Sequence, residues 1–155
     1  MPDYSANERT YQLLAQVIGR AGRHSGDGAV FIQTYTPQHQ ALRAAAARDY
    51  DAFYKAEIAQ RKELRYPPYT YLLTAYTERA SSNSAATAAS KVVQDLLEQF
   101  PGLQVLGPSP AFREKSPSGY RWQIVVKAAK RTTLQKVANT LPDKWHIDID
   151  PLQLL

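Results

Sequence analysis

Apolar residues along the chain follow two kinds of pattern, one typical of helices and one typical of strands. The helical pattern comes first and predicts a helix near the N-terminus. Over residues 8–23, apolar side chains recur at the i, i+3, i+4, i+7 spacing that places them on one helix face. These side chains are Tyr11, Leu14, Ala15 and Ile18. The compact run "AVFIQTY" at residues 29–35 then predicts a buried strand.

A second helical stretch occupies residues 38–65, which are rich in alanine and charged residues and contain neither glycine nor proline. Asp49 or Asp51 is expected to begin a new helical segment inside it. The sequence "YPPY" at residues 66–69 must end the stretch, because proline disfavours the helical conformation in the residue before it. We therefore expect a domain boundary there.

From residue 70 onward, strand-like and helical patterns alternate. The predicted order is strand 71–78, helix 85–99, extended segment 103–112, strand 120–127, helix 131–141 and strand 145–150. This β-α-β-β-α-β order is that of the ferredoxin-like unit, an antiparallel sheet with both helices on one face. The predicted fold class is therefore α+β, and the other sheet face is expected to stay open to solvent or a partner.

The strand at residues 120–127 divides its side chains between the two sheet faces. One face carries Tyr120, Trp122, Ile124 and Val126, and the other carries Arg121, Gln123, Val125 and Lys127. We expect the first set to pack on the helices and the second set to lie on the open face.

Positive charge is concentrated in this part of the sequence. The chain has 19 basic and 14 acidic residues, and the whole excess lies between residues 112 and 131. Such a stretch is typical of a surface that binds a polyanion, although a solvated hairpin with chance lysines would look the same. The candidate DNA-binding residues are Arg113, Lys115, Arg121 and Lys127.

Composition excludes several other functions. The absence of cysteine excludes disulfides and thiolate metal sites, and His24, His39 and His146 lack metal-ligand spacing, so no metal site is expected. Asp148 and Asp150 share one strand face near the C-terminus, where edge-strand solubility explains them better than catalysis does. No apolar run reaches the length of a membrane span, and no secretory leader is visible, which predicts a cytoplasmic protein without membrane contact.

The predicted N-terminal helix carries a second, polar face. Gln16, Arg20 and Arg23 lie at i, i+4 and i+7, opposite the apolar side chains, with Gly19 and Gly22 beside the arginines. Guanidinium groups bind phosphate oxygens bidentately, and an arginine directed at a transferring phosphoryl group accelerates its hydrolysis. An arginine- and glycine-rich turn that binds any anion is the plainer alternative.

Several stretches together carry a family resemblance. "QVIGRAGR" resembles motif VI of superfamily 2 helicases, which lies on the second RecA-like lobe and faces ATP bound to the first. With "YDAFYKAEIAQRKELRYPPY", "VLGPSPA", "YRWQIVVK" and "IDIDPLQLL", the chain from about residue 8 resembles the PriA family of bacterial replication-restart helicases (primosomal protein N-prime). The resemblance implies three regions: the end of lobe two at 1–36, a helical connector at 37–69 and a ferredoxin-like C-terminal domain at 70–155.

The resemblance implies roles in ATP hydrolysis, but only within a complete 3'–5' helicase. Gln16 and Arg20 would sense the phosphates of ATP with its Mg²⁺, and Arg23 would be the arginine finger. The sequence contains no Gly-Lys dipeptide for a phosphate loop, no Asp-Glu dipeptide and no cysteine for the family's zinc sites. We therefore expect this chain alone to be a C-terminal portion without ATPase or unwinding activity.

Binding roles are also implied. The family's C-terminal domain takes part in binding forked or single-stranded DNA during primosome assembly with other primosome proteins. The family also binds the acidic C-terminal tail of single-strand DNA-binding protein through an R-x-x-L-Q pattern, which Arg131 and Gln135 of "RTTLQ" match. The alternatives are a stand-alone ferredoxin-like binding module and a regulator that binds another protein's nucleotide.

Overall fold

The structure is a computed structural model, and it describes residues 3–21, 28–152 and 154. The chain forms two compact units. The first spans Tyr4–Glu63, and the second comprises Asp3 and the described residues from Leu64 onward. Among the described residues, no helix has the length and apolar character needed to cross a membrane.

The first unit consists of three helices around a small aromatic and alanine core. Helices α1, α2 and α3 span Ala6–Ala21, Gln40–Ala47 and Tyr50–Glu63. The ring of Tyr11 stacks on that of Phe53 with their centroids 4.4 Å apart, and three buried alanines of α2 complete the core. Leu14 and Ile18 pack against it, so three members of the apolar face predicted for the first helix are confirmed, whereas the fourth, Ala15, is exposed.

The second predicted helical stretch is interrupted, as the sequence indicates. Arg48 adopts a left-handed conformation with φ of 55° and ends α2. The Asp49 carboxylate then accepts a hydrogen bond of 2.9 Å from the backbone N–H of Ala52 in the first turn of α3. This bond satisfies one of the amide groups that a helix start leaves unpaired. Asp49, one of the two expected positions, therefore begins the new helix.

The strand predicted at residues 29–35 is wrong. These residues form no strand, and the side chains of Phe31 and Tyr35 are almost fully exposed. A strand requires a hydrogen-bonded neighbour, and the described part of the first unit contains no other strand. Residues 29–35 therefore have no strand to pair with, and the side chains of Phe31 and Tyr35 stay exposed.

The second unit is a four-stranded antiparallel sheet with two helices. Its elements are β1 (Tyr71–Arg79), α4 (Ser82–Gln99), β2 (Gln104–Ser116), β3 (Gly119–Ala128), α5 (Arg131–Thr140) and β4 (Trp145–Ile149). The strand order β2-β3-β1-β4, with every neighbouring pair antiparallel, is the arrangement expected from the β-α-β-β-α-β order. The fold is α+β, as predicted.

The main core lies between the sheet and the two helices. Ile124 and Val126 of β3 are fully buried beside Leu73 of β1, and Leu96 of α4 and Leu134 of α5 pack on them. The alternation predicted along β3 is confirmed on this side, since Ile124 and Val126 lie here. Helix α4 begins at Ser82, three residues before the predicted start at residue 85, and its N-cap is Ser81, whose hydroxyl accepts from the backbone N–H of Ser84.

The opposite sheet face is only partly open, which corrects the sequence-based expectation. Leu72 and Val125 are fully buried there, and Lys127 is 5% exposed. The Lys127 ammonium donates a hydrogen bond of 2.8 Å to the Leu64 carbonyl and lies 3.5 Å from the centroid of the Tyr66 ring. Residues 64–66 therefore cover one end of this face, and burial lowers the pKa of Lys127.

Candidate nucleic-acid interface

The accessible end of the sheet face carries a row of aromatic and polar side chains. We call Tyr76, Arg121, Gln123 and His146 the sheet-face cluster. Tyr76 of β1 lies directly opposite His146 of β4, and their rings stack with centroids 4.5 Å apart and an interplanar angle of 14°. The two residues point to the same side because directly opposed residues of antiparallel strands share a sheet face.

Arg121 is held in place by an ion pair. Its Nε lies 2.6 Å from Oε2 of Glu78, the residue directly opposite on β1. The guanidinium carbon lies 5.4 Å from the centroid of the Tyr76 ring. The Arg121 hydrogen bond, aided by bonds to Ser118 and Ser116, lowers the pKa of Glu78 to about 2. Glu78 therefore stays ionised through the neutral range, and the side chain of Arg121 remains 37% exposed.

Gln123 gives this face an unused hydrogen-bonding group. Its amide nitrogen is buried and has no hydrogen-bond partner within the described structure. Gln123 lies directly opposite Tyr76 and lines a cavity of about 230 Å³ together with His146, Asp148 and Leu154. A buried donor without a partner is costly unless a ligand or water satisfies it.

Arg113 and Lys115 lie elsewhere, on the edge strand β2. Both are exposed, and the strand is irregular between Pro110 and Lys115, where Phe112 is 76% exposed. Lys115 lies opposite Tyr120 and so points to the helix side of the sheet.

The four predicted DNA-binding residues therefore do not form one surface. Lys127 is buried under residues 64–66, and Arg121 belongs to the sheet-face cluster. Arg113 and Lys115 are free to meet a polyanion from the edge of the sheet.

Arg131 and Gln135 lie together on α5, as their spacing predicts, and both are exposed. The Nε of Arg131 lies 2.9 Å from Oδ2 of Asp150, and both side chains remain largely accessible. Asp150 therefore has a structural partner, whereas Asp148 lines the cavity beside the sheet-face cluster. No group of three metal-ligating side chains occurs in the described ranges.

A larger cleft of about 710 Å³ opens beside the N-terminus of α5. Arg65, Lys127 and Lys130 line it, and none of its lining residues is acidic. The sequence offered no signal for Arg65, because residues 64–66 were expected to belong to a helix and its end rather than to the sheet domain.

Comparison with known proteins decides the family. A sequence model described as the primosomal protein N C-terminal domain matches residues 62–152. The chain belongs to the PriA family. Replication restart protein PriA from Haemophilus influenzae is 38% identical over 162 residues, which cover 98% of this chain and 22% of that protein.

Two further PriA proteins match almost the whole chain. The protein from Bacillus subtilis is 36% identical over 151 residues, covering 97% of this chain and 19% of the relative. The protein from Treponema pallidum is 35% identical over 163 residues, covering 99% of this chain and 25% of the relative. The chain thus spans a quarter or less of the length of these PriA relatives, and the alignments include both structural units.

The predicted ATP-contacting residues fall on α1 and on the segment that follows it. Gln16 and Arg20 are exposed on α1, and Arg23 lies outside the described residues. The chain supplies guanidinium groups but no phosphate loop, and it contains no cysteine for zinc.

Sequence reasoning did not single out three members of the sheet-face cluster as candidate site residues. Strand alternation already placed Gln123 on the outer face, but its partners Tyr76 and His146 lie on other strands. Only the register of β1 with β3 and β4 brings the three together. The aromatic residue on β1 and the histidine on β4 were the available signal.

We expect removal of Arg121 to restore an ordinary titration of Glu78. In wild type, ionised Glu78 stabilises the fold above its usual pKa of 4.5, and this contribution is lost as pH falls toward about 2. In Arg121→Ala the pKa of Glu78 rises toward 4.5, because the ion pair is gone. Carboxyl-detected NMR titration measures this shift, with Arg113→Ala as the control. A Glu78 pKa near 4.5 in wild type would contradict the ion pair.

Proposed function

We propose that this chain is the DNA- and protein-binding C-terminal part of a PriA-like 3'–5' helicase, acting in replication restart and primosome assembly in the bacterial cytoplasm. The observation that carries the proposal is the PriA match over both units, combined with exposed cations on the sheet edge. A stand-alone binding module would not need the first unit, which the matches include.

For DNA, the proposal assigns phosphate contacts to Arg113 and Lys115. Both side chains are exposed on the irregular edge strand β2, and Arg121 lies apart from them on the outer sheet face. Lys127 is excluded from direct phosphate contact in this conformation, because its ammonium binds the Leu64 carbonyl. The substrate is forked or single-stranded DNA.

For protein binding, the proposal assigns the acidic C-terminal tail of single-strand DNA-binding protein to Arg131 and Gln135. The two side chains share an exposed face of α5. Arg131 is already paired with Asp150, so a tail carboxylate competes with that residue for the guanidinium. The cationic cleft beside the same helix terminus adds attraction for acidic chains.

In the complete helicase, we assign Gln16, Arg20 and Arg23 to the phosphates of ATP bound with Mg²⁺ on the other lobe. This chain by itself holds only one side of that site and is proposed to have no ATPase activity. ATP turnover by the purified chain would refute this assignment.

The DNA assignment predicts a specific salt effect. The double variant Arg113→Ala with Lys115→Ala should lower the slope of log affinity against log salt by about 1.4, because two phosphate contacts with single-stranded DNA are lost. Fluorescence anisotropy with a labelled oligonucleotide over a salt series measures the slope.

The matched control is Lys62→Ala with Lys91→Ala, which removes two exposed cations from α3 and α4. The control should leave the slope unchanged. Equal reductions in the two double variants would show that Arg113 and Lys115 are not specific phosphate contacts.

If the acidic tail binds Arg131, substitutions of Arg131 and of its ion-pair partner Asp150 should change the affinity for an acidic peptide in opposite directions. Arg131→Ala should abolish binding of an acidic C-terminal peptide, whereas Asp150→Asn should strengthen it by up to about 5-fold, the value of a surface ion pair. Asparagine tolerates the positive φ of 58° at position 150, so the backbone is kept.

Isothermal titration calorimetry with the peptide tests this, with exposed Asp143→Asn as the control for general charge. Unchanged peptide affinity in Arg131→Ala would place the tail site elsewhere.

A further inference from the structure

We propose that the cleft beside the N-terminus of α5 binds a terminal phosphate, which is a phosphate group joined through one oxygen to a nucleoside. The inference goes beyond the proposed function, which assigns DNA phosphates to the edge strand β2 and an acidic protein tail to the exposed face of α5. It depends on the cations of the cleft, on a lining without acidic residues and on the size of the cleft.

The positive charge of Lys127, which lines the cleft, has no counter-ion. Its buried ammonium donates to the Leu64 carbonyl, and no carboxylate forms an ion pair with it in the described part of the chain. Burial lowers the pKa of Lys127, and no nearby carboxylate offsets this effect. Because charges are weakly screened away from water, this ammonium attracts an anion in the cleft without touching it.

Two exposed cations add contacts to this attraction. Arg65 and Lys130 line the cleft, and both are exposed. Neither forms an ion pair with a described residue, and none of the residues that line the cleft is acidic. A guanidinium binds phosphate oxygens through two parallel N–H bonds, and a lysine ammonium binds them as a point charge. Both groups are therefore available to an anion that enters from solvent.

Helix α5 begins at the same cleft without an anion of its own. Its N-cap residue is Lys130, whose side chain makes no cap bond, and the first turn contains no acidic residue. Thr133 of that turn lines the cleft. The positive end of the helix dipole therefore adds to the attraction of the side-chain cations, although it would not make a site without them.

The concentration of charge favours a terminal phosphate over a peptide. A terminal phosphate carries a charge of about −1.5 to −2 near pH 7 and presents three acceptor oxygens at one point. A peptide distributes its carboxylates over separate residues, and those on one side of an extended chain are roughly 7 Å apart. One phosphate can therefore meet Arg65, Lys130 and the field of Lys127 together, whereas one carboxylate supplies half the charge.

The cleft has room for more than the phosphate. Its volume of about 710 Å³ lies within the range of small-molecule sites, roughly 300–1,000 Å³. Tyr69 and Phe100 supply apolar area to its lining, and Gln99 and Gln104 supply amides. Such a lining suits a sugar and base attached to the phosphate. The ligand is therefore a nucleotide, either free in solution or at the 5' end of a DNA strand.

The first test titrates the 155-residue chain with inorganic phosphate at constant ionic strength. In heteronuclear NMR spectra, phosphate should shift the backbone amide signals of Gly102 and Thr133 in a saturable way, and acetate should shift them much less. Lys130→Gln should weaken phosphate binding roughly 5-fold, the value of one surface ion pair. The matched control, Lys136→Gln, removes an exposed cation of α5 that does not line the cleft and should leave the affinity unchanged.

The second test distinguishes the two sources of the phosphate. It compares two deoxythymidine strands of equal length, labelled at the 3' end, of which one carries a 5'-phosphate and the other a 5'-hydroxyl. If the source is a strand end, the chain should bind the phosphorylated strand roughly 5-fold more tightly and should lose this preference in Lys130→Gln. Equal affinity for the two strands, together with saturable binding of thymidine 5'-monophosphate, assigns the site to free nucleotides.

Three results of the first test would overturn the proposal: no saturable shift at Gly102 and Thr133, equal shifts with acetate, or an unchanged phosphate affinity in Lys130→Gln. An acidic peptide that shifts the same signals at lower concentration than phosphate would also overturn it and would assign the cleft to the protein tail. Failure of both strands to bind rejects the DNA-binding function, whereas the inorganic phosphate titration still decides the cleft.

Discussion

The organisation of the second unit depends on the burial of Lys127. The side chains of β3 alternate between the two sheet faces. On the outer face, the ammonium of Lys127 is buried against the Leu64 carbonyl and the Tyr66 ring. An ammonium in this position is tolerated because it keeps a hydrogen bond and an aromatic partner. The contact fastens residues 64–66 over one end of the sheet and leaves the other end, with Tyr76, Arg121 and His146, accessible.

This division assigns different chemistry to different parts of one small domain. The exposed cations Arg113 and Lys115 lie on the edge strand, and the stacked rings of Tyr76 and His146 lie on the sheet face. The exposed face of α5 offers Arg131 to a carboxylate. Under the proposed functions, the phosphate contacts and the acidic-tail contact therefore lie on separate surfaces of this PriA-family chain.

Local rules of the sequence predicted much of the fold and less of the site. Asp49 and Ser81 begin helices because their side chains cap backbone amides locally, and such signals need no tertiary context. The prediction of a strand at residues 29–35 was wrong because a strand needs a hydrogen-bonded neighbouring strand. Lys127 was predicted to bind DNA because the alternation of side chains along β3 shows which sheet face it lies on. That alternation does not show which other residues cover the face. The pairing of Tyr76 with His146 depends on strand register, which the sequence alone does not provide.

Chemical labelling of lysines tests the central claim most directly. The account predicts that an amine-acylating reagent, read out by mass spectrometry on the intact folded chain, modifies the exposed Lys115 and Lys130 and spares Lys127. Saturating single-stranded DNA should then protect Lys115 as well, since a bound phosphate shields its ammonium. Modification of Lys127 at the same rate as Lys115 in the free chain would contradict the covered sheet face and the division of surfaces built on it.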